Sequence, residues 1–288
     1  MNFNLWLLYF YKKSIFLYLE TENQQKQTMN CNICQNETKK LFNAKVLYKY
    51  DVDYFQCQTC GFGQTEKPYW LDEAYISSMN ISDTGVMYRC ERMSKITTSL
   101  LFLFFKTKGK FLDYAGGFGV FTRQMRDIGF DFYWYDPYTK NEIARGFEGS
   151  LAVKYDFVTT FESFEHFENP LEEIEKIVKL TDTIICTTDL ISKPAPTHSE
   201  WWYYASEHGQ HVSFYSKDAF KEIGKKFGMH YYNAMNVHIL TKKKLGFLGV
   251  TFFKFKFAKH LLYLGYFFFN PLIKSKSLDD MNSFYVKK

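Results

Sequence analysis

Four cysteines carry the plainest chemical signal in the chain. Cys31 and Cys34, then Cys57 and Cys60, form two C-x-x-C pairs separated by 22 residues. Each pair turns two thiolates toward one point, and two such turns supply the tetrahedral four-sulfur set that zinc prefers. Four protein ligands leave no open position, so the expected role is structural. Gly61, directly after the second pair, is expected to let the backbone turn its N–H toward sulfur. Cys90 and Cys186 have no partner by spacing and read as packed residues.

A second signal is the run F-L-D-Y-A-G-G-F-G-V-F-T at 111–122. Asp113 ends an apolar stretch, and Ala115, Gly117 and Gly119 follow at alternate positions, with Gly116 as a further small residue. Such a turn lets the backbone pass close to a ligand and opens the next helix toward it. Asp136 comes 17 residues after Gly119, where an acid at the end of the second strand accepts hydrogen bonds from ribose hydroxyls. A tight turn needs glycine for structural reasons too, so the combination matters more than the glycines. A dinucleotide fingerprint wants a small residue where this chain has Thr122. Asp113 would repel a pyrophosphate, whereas it suits the ammonium and sulfonium charges of S-adenosylmethionine.

Candidate bases fall in two clusters. Glu162, Glu165 and His166 follow the stretch 157–161, and His166 reads either as a general base or as an anchor for the loop before Asn169-Pro170. The run E-W-W-Y-Y-A-S-E-H-G-Q-H-V-S-F-Y-S at 200–216 brings aromatics together with Glu207, His208 and His211 beside a glycine. That is the composition of a lid or acceptor-binding loop, or of a plug for the domain. Tyr75 and the Asp83-Thr84-Gly85 turn are candidates to close the acceptor side.

The elements that must hold these residues follow a βαβ rhythm. Strands are expected at 110–113, 130–135, 157–161 and 183–188, and an antiparallel hairpin at 229–235 and 237–241. Helices are expected at 120–128, 171–180 and 217–227, preceded by two linking helices at 68–79 and 87–105. Alternation of this kind gives an α/β, doubly wound, mostly parallel sheet, set here at seven strands, whose ligands bind at the carboxyl ends.

Residues 110–241 resemble the class I S-adenosylmethionine-dependent methyltransferases. The D-x-x-G-G-x-G turn matches their first motif with Ala115 in place of its first glycine, and Y-D-F-V-T-T-F-E-S-F-E-H-F-E-N-P at 155–170 looks like their fourth-strand motif. The resemblance implies a Rossmann-like fold and S-adenosyl-L-methionine as cofactor. It places Asp113, Ala115, Gly116, Gly117, Gly119, Asp136, Asp156 and Glu162 at the cofactor. A zinc module before such a domain is similar to the deoxysugar C-methyltransferases, which act on nucleotide-linked keto-sugars, and to methyltransferases of bacterial surface-glycan clusters. In those sugar enzymes a histidine of the corresponding segment is a candidate base, which falls on His211, with His208, His166 and Glu207 as further catalytic candidates. The acceptor implied is a nucleotide sugar or glycan precursor, methylated at carbon or oxygen.

Composition narrows the classes. Aromatic residues make up 20% of the chain and hydrophobic residues 46%, enough for a sizeable core. The charge of +5 is too mild for a nucleic-acid binder, and no N-P-P-[YF] motif follows the fourth strand. A zinc-ribbon interaction protein with a degenerate methyltransferase-like domain is the non-enzymatic alternative, and methylation of protein or nucleic acid is a third. The expected division is an extension at 1–28, a zinc-binding module at 29–66, linking helices at 67–108, the cofactor domain at 109–242, and a C-terminal aromatic and basic helical segment at 243–288. The extension reads as a signal-like or interfacial stretch or as sequence upstream of a start at Met29. The C-terminal segment suits peripheral membrane contact, or packing on the sheet or across a dimer. A cytoplasmic location is expected from the zinc-type cysteines.

Overall fold

The computed structural model describes residues 29–76 and 83–285. The expected extension at 1–28 and the end of the helix expected at 68–79 lie outside the described residues.

Three short antiparallel strands open the fold: β1 (Thr38–Val46), β2 (Tyr50–Cys57) and β3 (Gly63–Thr65). Only one turn of helix, α1 (Leu71–Ala74), follows, shorter than the helix expected at 68–79. The longer α2 (Val86–Phe104) buries Met93, Ile96, Leu100 and Leu101 on one face.

The main sheet then builds from β4 (Phe111–Tyr114), α3 (Val120–Ile128), β5 (Phe132–Tyr135), β6 (Phe157–Phe161), α4 (Pro170–Val178) and β7 (Thr183–Thr187). After β8 (Ser213–Phe214) come α5 (Lys217–Phe227), β9 (His230–Ala234) and β10 (Val237–Thr241). Ser216 caps α5 by accepting the Ala219 N–H at 3.0 Å, and left-handed Gly228 ends it. Three helices close the described chain: α6 (Phe247–Lys254), α7 (Ala258–Phe269) and α8 (Ser277–Tyr285).

Strand order in the main sheet is β5-β4-β6-β7-β10-β9. The first four strands are mutually parallel, and β10 runs antiparallel to both β7 and β9. The sheet therefore has six strands among the described residues, not the seven expected. The segment between β5 and β6 gives only an isolated parallel bridge between Trp134 and Glu148. There, Trp134 N–H donates to Phe147 O at 2.8 Å and Gly149 N–H to Trp134 O at 2.6 Å. Pairing extends no further, since glycines at 146 and 149 flank the contact.

Strand residues alternate between two buried layers. Phe111, Phe132, Phe157, Ile185 and Ile239 join a core with α2, α3, α6 and α7. Their neighbours Leu112, Val158, Ile184 and Leu240 join a core with α4 and α5. Burial on both faces is why these strands read as nearly unbroken apolar runs. The second core continues without a gap to Cys31, Cys57, Cys60 and Phe62.

The cysteine-bearing strands do not stand apart from the rest. β8 pairs with β3 and completes a four-stranded sheet of order β1-β2-β3-β8. Trp70 donates its indole N–H to Gly209 O at 2.7 Å, and Gln56 Nε2 donates to Ser192 O at 2.8 Å. At the other end, α7 packs on α2, while Phe247, Leu248, Phe257 and Phe268 stay exposed. No helix among the described residues is long and apolar enough to cross a membrane.

The β5 edge is held by α8. Arg126 and Asp280, both almost fully buried, form a two-pronged pair, with Nε to Oδ2 at 2.8 Å and Nη2 to Oδ1 at 2.7 Å. Phe284 stacks edge-on against Phe147, ring centres 5.5 Å apart.

Candidate functional site

The carboxyl ends of β4, β5 and β6 open into one cleft of about 1270 Å³. β4 delivers Asp113, and the chain then turns through Ala115 and Gly117, both at positive φ, into α3. A Cβ on Gly116 would lie 2.7 Å from the Trp134 ring and 2.8 Å from Asp113 Oδ2, so only glycine fits. A Cβ on Gly117 would meet no protein atom within 4 Å, and would instead fill the cleft that the residue lines. Gly119, at φ +86°, begins α3.

Asp113 is buried on the cleft floor. Its Oδ1 accepts from Thr159 Oγ1 at 3.0 Å and its Oδ2 from Thr122 Oγ1 at 3.1 Å. Thr159 is its direct partner across the β4–β6 ladder. Burial, the dominant influence, raises the Asp113 carboxyl to about 7. A buried carboxylate with two neutral hydroxyls for company is short of positive charge, which a cationic ligand supplies. Thr122, the residue that breaks the dinucleotide pattern, thus has a position of its own: one turn into α3, facing back to Asp113.

Asp136 ends β5. Its Oδ2 accepts the Gly117 N–H at 2.9 Å, and its Oδ1 accepts those of Tyr138 and Thr139, both at 2.8 Å. Three of roughly four lone-pair positions are taken, which fixes the carboxylate at the cleft wall. Glu162 follows β6 at φ +49°, with its Oε1 accepting from Thr187 Oγ1 at 2.6 Å. Burial pushes its carboxyl up.

Asp156 takes a different place. It precedes β6 at the amino end of the strand, where its Oδ2 accepts the Lys110 N–H at 3.1 Å. It does not line the cleft. The strand itself, about five residues long, separates it from the cofactor side.

The acceptor candidates also divide. His166, on a turn of 3₁₀ helix after β6, lines the cleft beside Tyr75. Its Nδ1 lies 3.0 Å from Tyr75 Oη and 3.1 Å from Gln210 O. A carbonyl only accepts, so Nδ1 carries the proton. His211 sits behind His166, ring centres 5.1 Å apart, with its Nδ1 donating to Tyr203 O at 2.7 Å. Burial lowers both imidazoles, His166 to about 4, and keeps them neutral. Glu165 is 1% exposed. Its Oε1 accepts from Tyr203 Oη at 2.7 Å, and burial, then the nearby Glu162 charge, raise its carboxyl. His208 packs against His211 at 5.0 Å without reaching the cleft, and burial lowers it too. Glu207 is exposed and lies outside the cleft.

Several cleft residues carried no local signal in the sequence. Arg89 on α2 lines the cleft and donates to Asp83 at 2.6 Å. Lys259, from α7, reaches the same cleft and donates to Asn236, so the C-terminal segment contributes to it.

In the cysteine cluster, Cys31 Sγ lies 3.5 Å from Cys60 Sγ, and Cys34 Sγ lies 3.4 Å from Cys57 Sγ. None is in a disulfide. The N–H groups of Thr59 and Cys60 both point to Cys57 Sγ at 3.4 Å. Gly61 does not turn its own N–H to sulfur as expected. At φ +72° it donates to Cys57 O at 3.1 Å, and this tight turn is what aims the two preceding N–H groups.

The sequence profile of a family described as a methyltransferase domain matches residues 88–232. No curated protein matches the chain. Among solved structures, it is similar to an S-adenosylmethionine-dependent methyltransferase of Thermotoga maritima, at 14% identity and a TM-score of 0.40, over 55% of this chain and 92% of that one. It is also similar to magnesium protoporphyrin IX methyltransferase of Synechocystis with bound S-adenosylhomocysteine. There the identity is 15% and the TM-score 0.41, over 59% of this chain and 90% of that one. An O-methyltransferase family 2 protein from Planctomyces limnophilus in complex with apigenin matches at 13% identity and a TM-score of 0.41, over 61% and 65%.

Proposed function

The chain belongs to the methyltransferase-domain family, and from that premise we propose that it transfers a methyl group from S-adenosylmethionine to a small acceptor, a nucleotide-linked sugar or glycan precursor. One observation carries the reading. A single cleft of about 1270 Å³ has the glycine turn, Asp113 and Asp136 on one side and Tyr75 and His166 on the other. That exceeds the roughly 300–1000 Å³ of a common ligand pocket, leaving room for cofactor and acceptor together.

The cofactor supplies an electrophilic methyl group and a positive charge. Asp113 offers the buried negative charge that complements it, Gly116 and Gly117 keep the passage clear, and Asp136 offers its remaining lone pair to a ribose hydroxyl. On the far side, Tyr75 and His166 hold the acceptor, with Glu165 and His211 supporting His166 from behind. In-line displacement at carbon needs this alignment above all. Tyr203 and Tyr204 are buried with Trp201 in the core of the small sheet, and none of residues 201–204 lines the cleft, so this run serves as the plug of the domain and not as a stacking surface for the acceptor.

The four cysteines fit a structural zinc ion: the donor set is all sulfur, no fifth His, Cys, Asp or Glu joins it among the described residues, and it closes the sheet that β8 completes. Residues 29–66, 67–108, 109–242 and 243–288 then act as zinc module, linker, cofactor domain and cleft-bracing C-terminal segment.

Calorimetry with S-adenosylhomocysteine, followed by labelled donor and a panel of nucleotide-linked sugars with and without a 4-keto group, tests the proposal. Binding and label transfer to a sugar are expected. Binding without transfer to any sugar would sink the acceptor assignment, and no binding would sink the enzymatic reading.

A further inference from the structure

Behind the acceptor side of the cleft, a buried carboxyl and two neutral imidazoles come together. The hydrogen bonds of Glu165, His166 and His211 account for one atom of each side chain: Glu165 Oε1 with Tyr203, His166 Nδ1 with Gln210 O, and His211 Nδ1 with Tyr203 O. The second atom is left over in every case. Glu165 Oε2 is fully buried and has no hydrogen-bond partner. Nε2 of each imidazole carries a lone pair, because the proton sits on the nitrogen that faces a carbonyl. One ligand atom from each of the three residues lies within 4.8 Å of the other two.

Two imidazole lone pairs and a carboxyl oxygen this close together can share the Glu165 proton or, once that proton leaves, a cation. We propose that Glu165, His166 and His211 form a second metal site, taking a divalent transition ion through Glu165 Oε2 and the two imidazole Nε2 atoms. Two imidazoles with one carboxylate suit zinc, iron(II), cobalt(II) or manganese(II). The all-oxygen preference of calcium and magnesium does not fit. Each ligand already has an outer partner that fixes its orientation: Tyr203 Oη for the carboxylate, and carbonyls for both rings. Metal sites are usually built this way. A tetrahedral site with bonds of about 2.1 Å has edges of roughly 3.4 Å, within the 4.8 Å that bounds the spacing of these ligand atoms.

Three protein ligands leave a coordination position open, unlike the closed four-sulfur cluster. His166 lines the cleft, so that position borders the acceptor side. Its use there rests on the methyltransferase reading, whereas its existence does not. A bound ion would act as a Lewis acid on an acceptor oxygen and take over from either imidazole as the proton-handling group.

Cobalt(II) titration of the full metal-stripped chain separates the two sites. Ions in the cysteine cluster give intense thiolate-to-metal charge-transfer absorption, and ions held by nitrogen and oxygen give only weak visible bands. Two equivalents are expected for the wild type. One is expected for Glu165→Gln and for His211→Ala, both keeping the charge-transfer band and wild-type affinity for S-adenosylhomocysteine. One equivalent in the wild type, or two retained in either variant, overturns the proposal. Failure of the wild type to bind S-adenosylhomocysteine would strike the methyltransferase reading and leave the cobalt count to decide this one.

Discussion

The cysteine cluster and the cleft differ in how their buried polar groups are matched. In the cluster, sulfur faces sulfur at 3.4 and 3.5 Å and backbone N–H groups at 3.4 Å, all within one tight assembly. In the cleft, Asp113 has two hydroxyls and no cation among the described residues, and behind the cleft Glu165 Oε2 has no hydrogen-bond partner among them. A closed set of four sulfurs, which we propose a zinc ion completes, serves the fold. A set left short beside a cleft is a candidate for what the protein binds, because a ligand can supply the missing balance.

Breaking the matched set should have the largest effect. Cys57→Ser removes one of the four sulfurs that we propose hold zinc, in a cluster continuous with the core beneath the sheet. We expect it to destabilise the protein by about 5 kcal/mol or more. Urea melts with and without a chelator check it: the chelator should lower the wild type to the level of the variant and leave the variant unmoved.

A middling effect is expected where matching is incomplete. The Asp113 carboxyl is raised by burial from 3.8 to about 7, so the folded state holds its proton more tightly than the unfolded state. Its contribution is fully present below about pH 4 and is lost as pH climbs toward 7. At 1.36 kcal/mol per unit, the apoprotein should lose up to about 4 kcal/mol over that window. Asp113→Asn should abolish the slope and make the apoprotein the more stable at pH 8, while weakening S-adenosylmethionine binding at least roughly tenfold. Denaturant melts at pH 5 and pH 8 decide it; a gap between the two proteins that ignores pH would refute the assignment.

The smallest effect concerns the backbone of the turn. Ala115 sits at φ +57°, which costs a non-glycine residue roughly 1–2 kcal/mol, against about 0.5–1 kcal/mol of chain entropy for glycine. Ala115→Gly should therefore stabilise by no more than about 1 kcal/mol, a rise of a few degrees in Tm by calorimetry. A lower Tm would show that the alanine methyl has a packing role.

Legibility followed sequence distance. The C-x-x-C pairs, the glycine turn and Asp136 are local patterns, readable because spacing alone fixes their geometry. The strands β4 to β7 were readable because both faces are buried. The lost seventh strand was not: whether 137–156 pairs with β5 depends on what covers that edge, and α8 lies over 120 residues away. Glu165, His166 and His211 were each visible as chemistry-bearing residues, but their meeting depends on β8 crossing to the small sheet. Asp156 was misplaced because the pattern marks a strand without saying which end faces the ligand. Arg89 and Lys259 enter the cleft from two helices that pack together but lie far apart in sequence, with no motif to announce either.

The bridge at Trp134 and the buried Arg126–Asp280 pair have a bearing on self-association. An edge strand is a template for another chain, because its outward N–H and C=O groups are unpaired. At β5, Trp134 spends both of those groups on Phe147 and Gly149, and the Arg126–Asp280 clasp holds α8 beside this edge. A second copy arriving at this side of the six-stranded sheet finds little to add to, so concentration-driven growth of that sheet by strand addition is confined to the β9 margin.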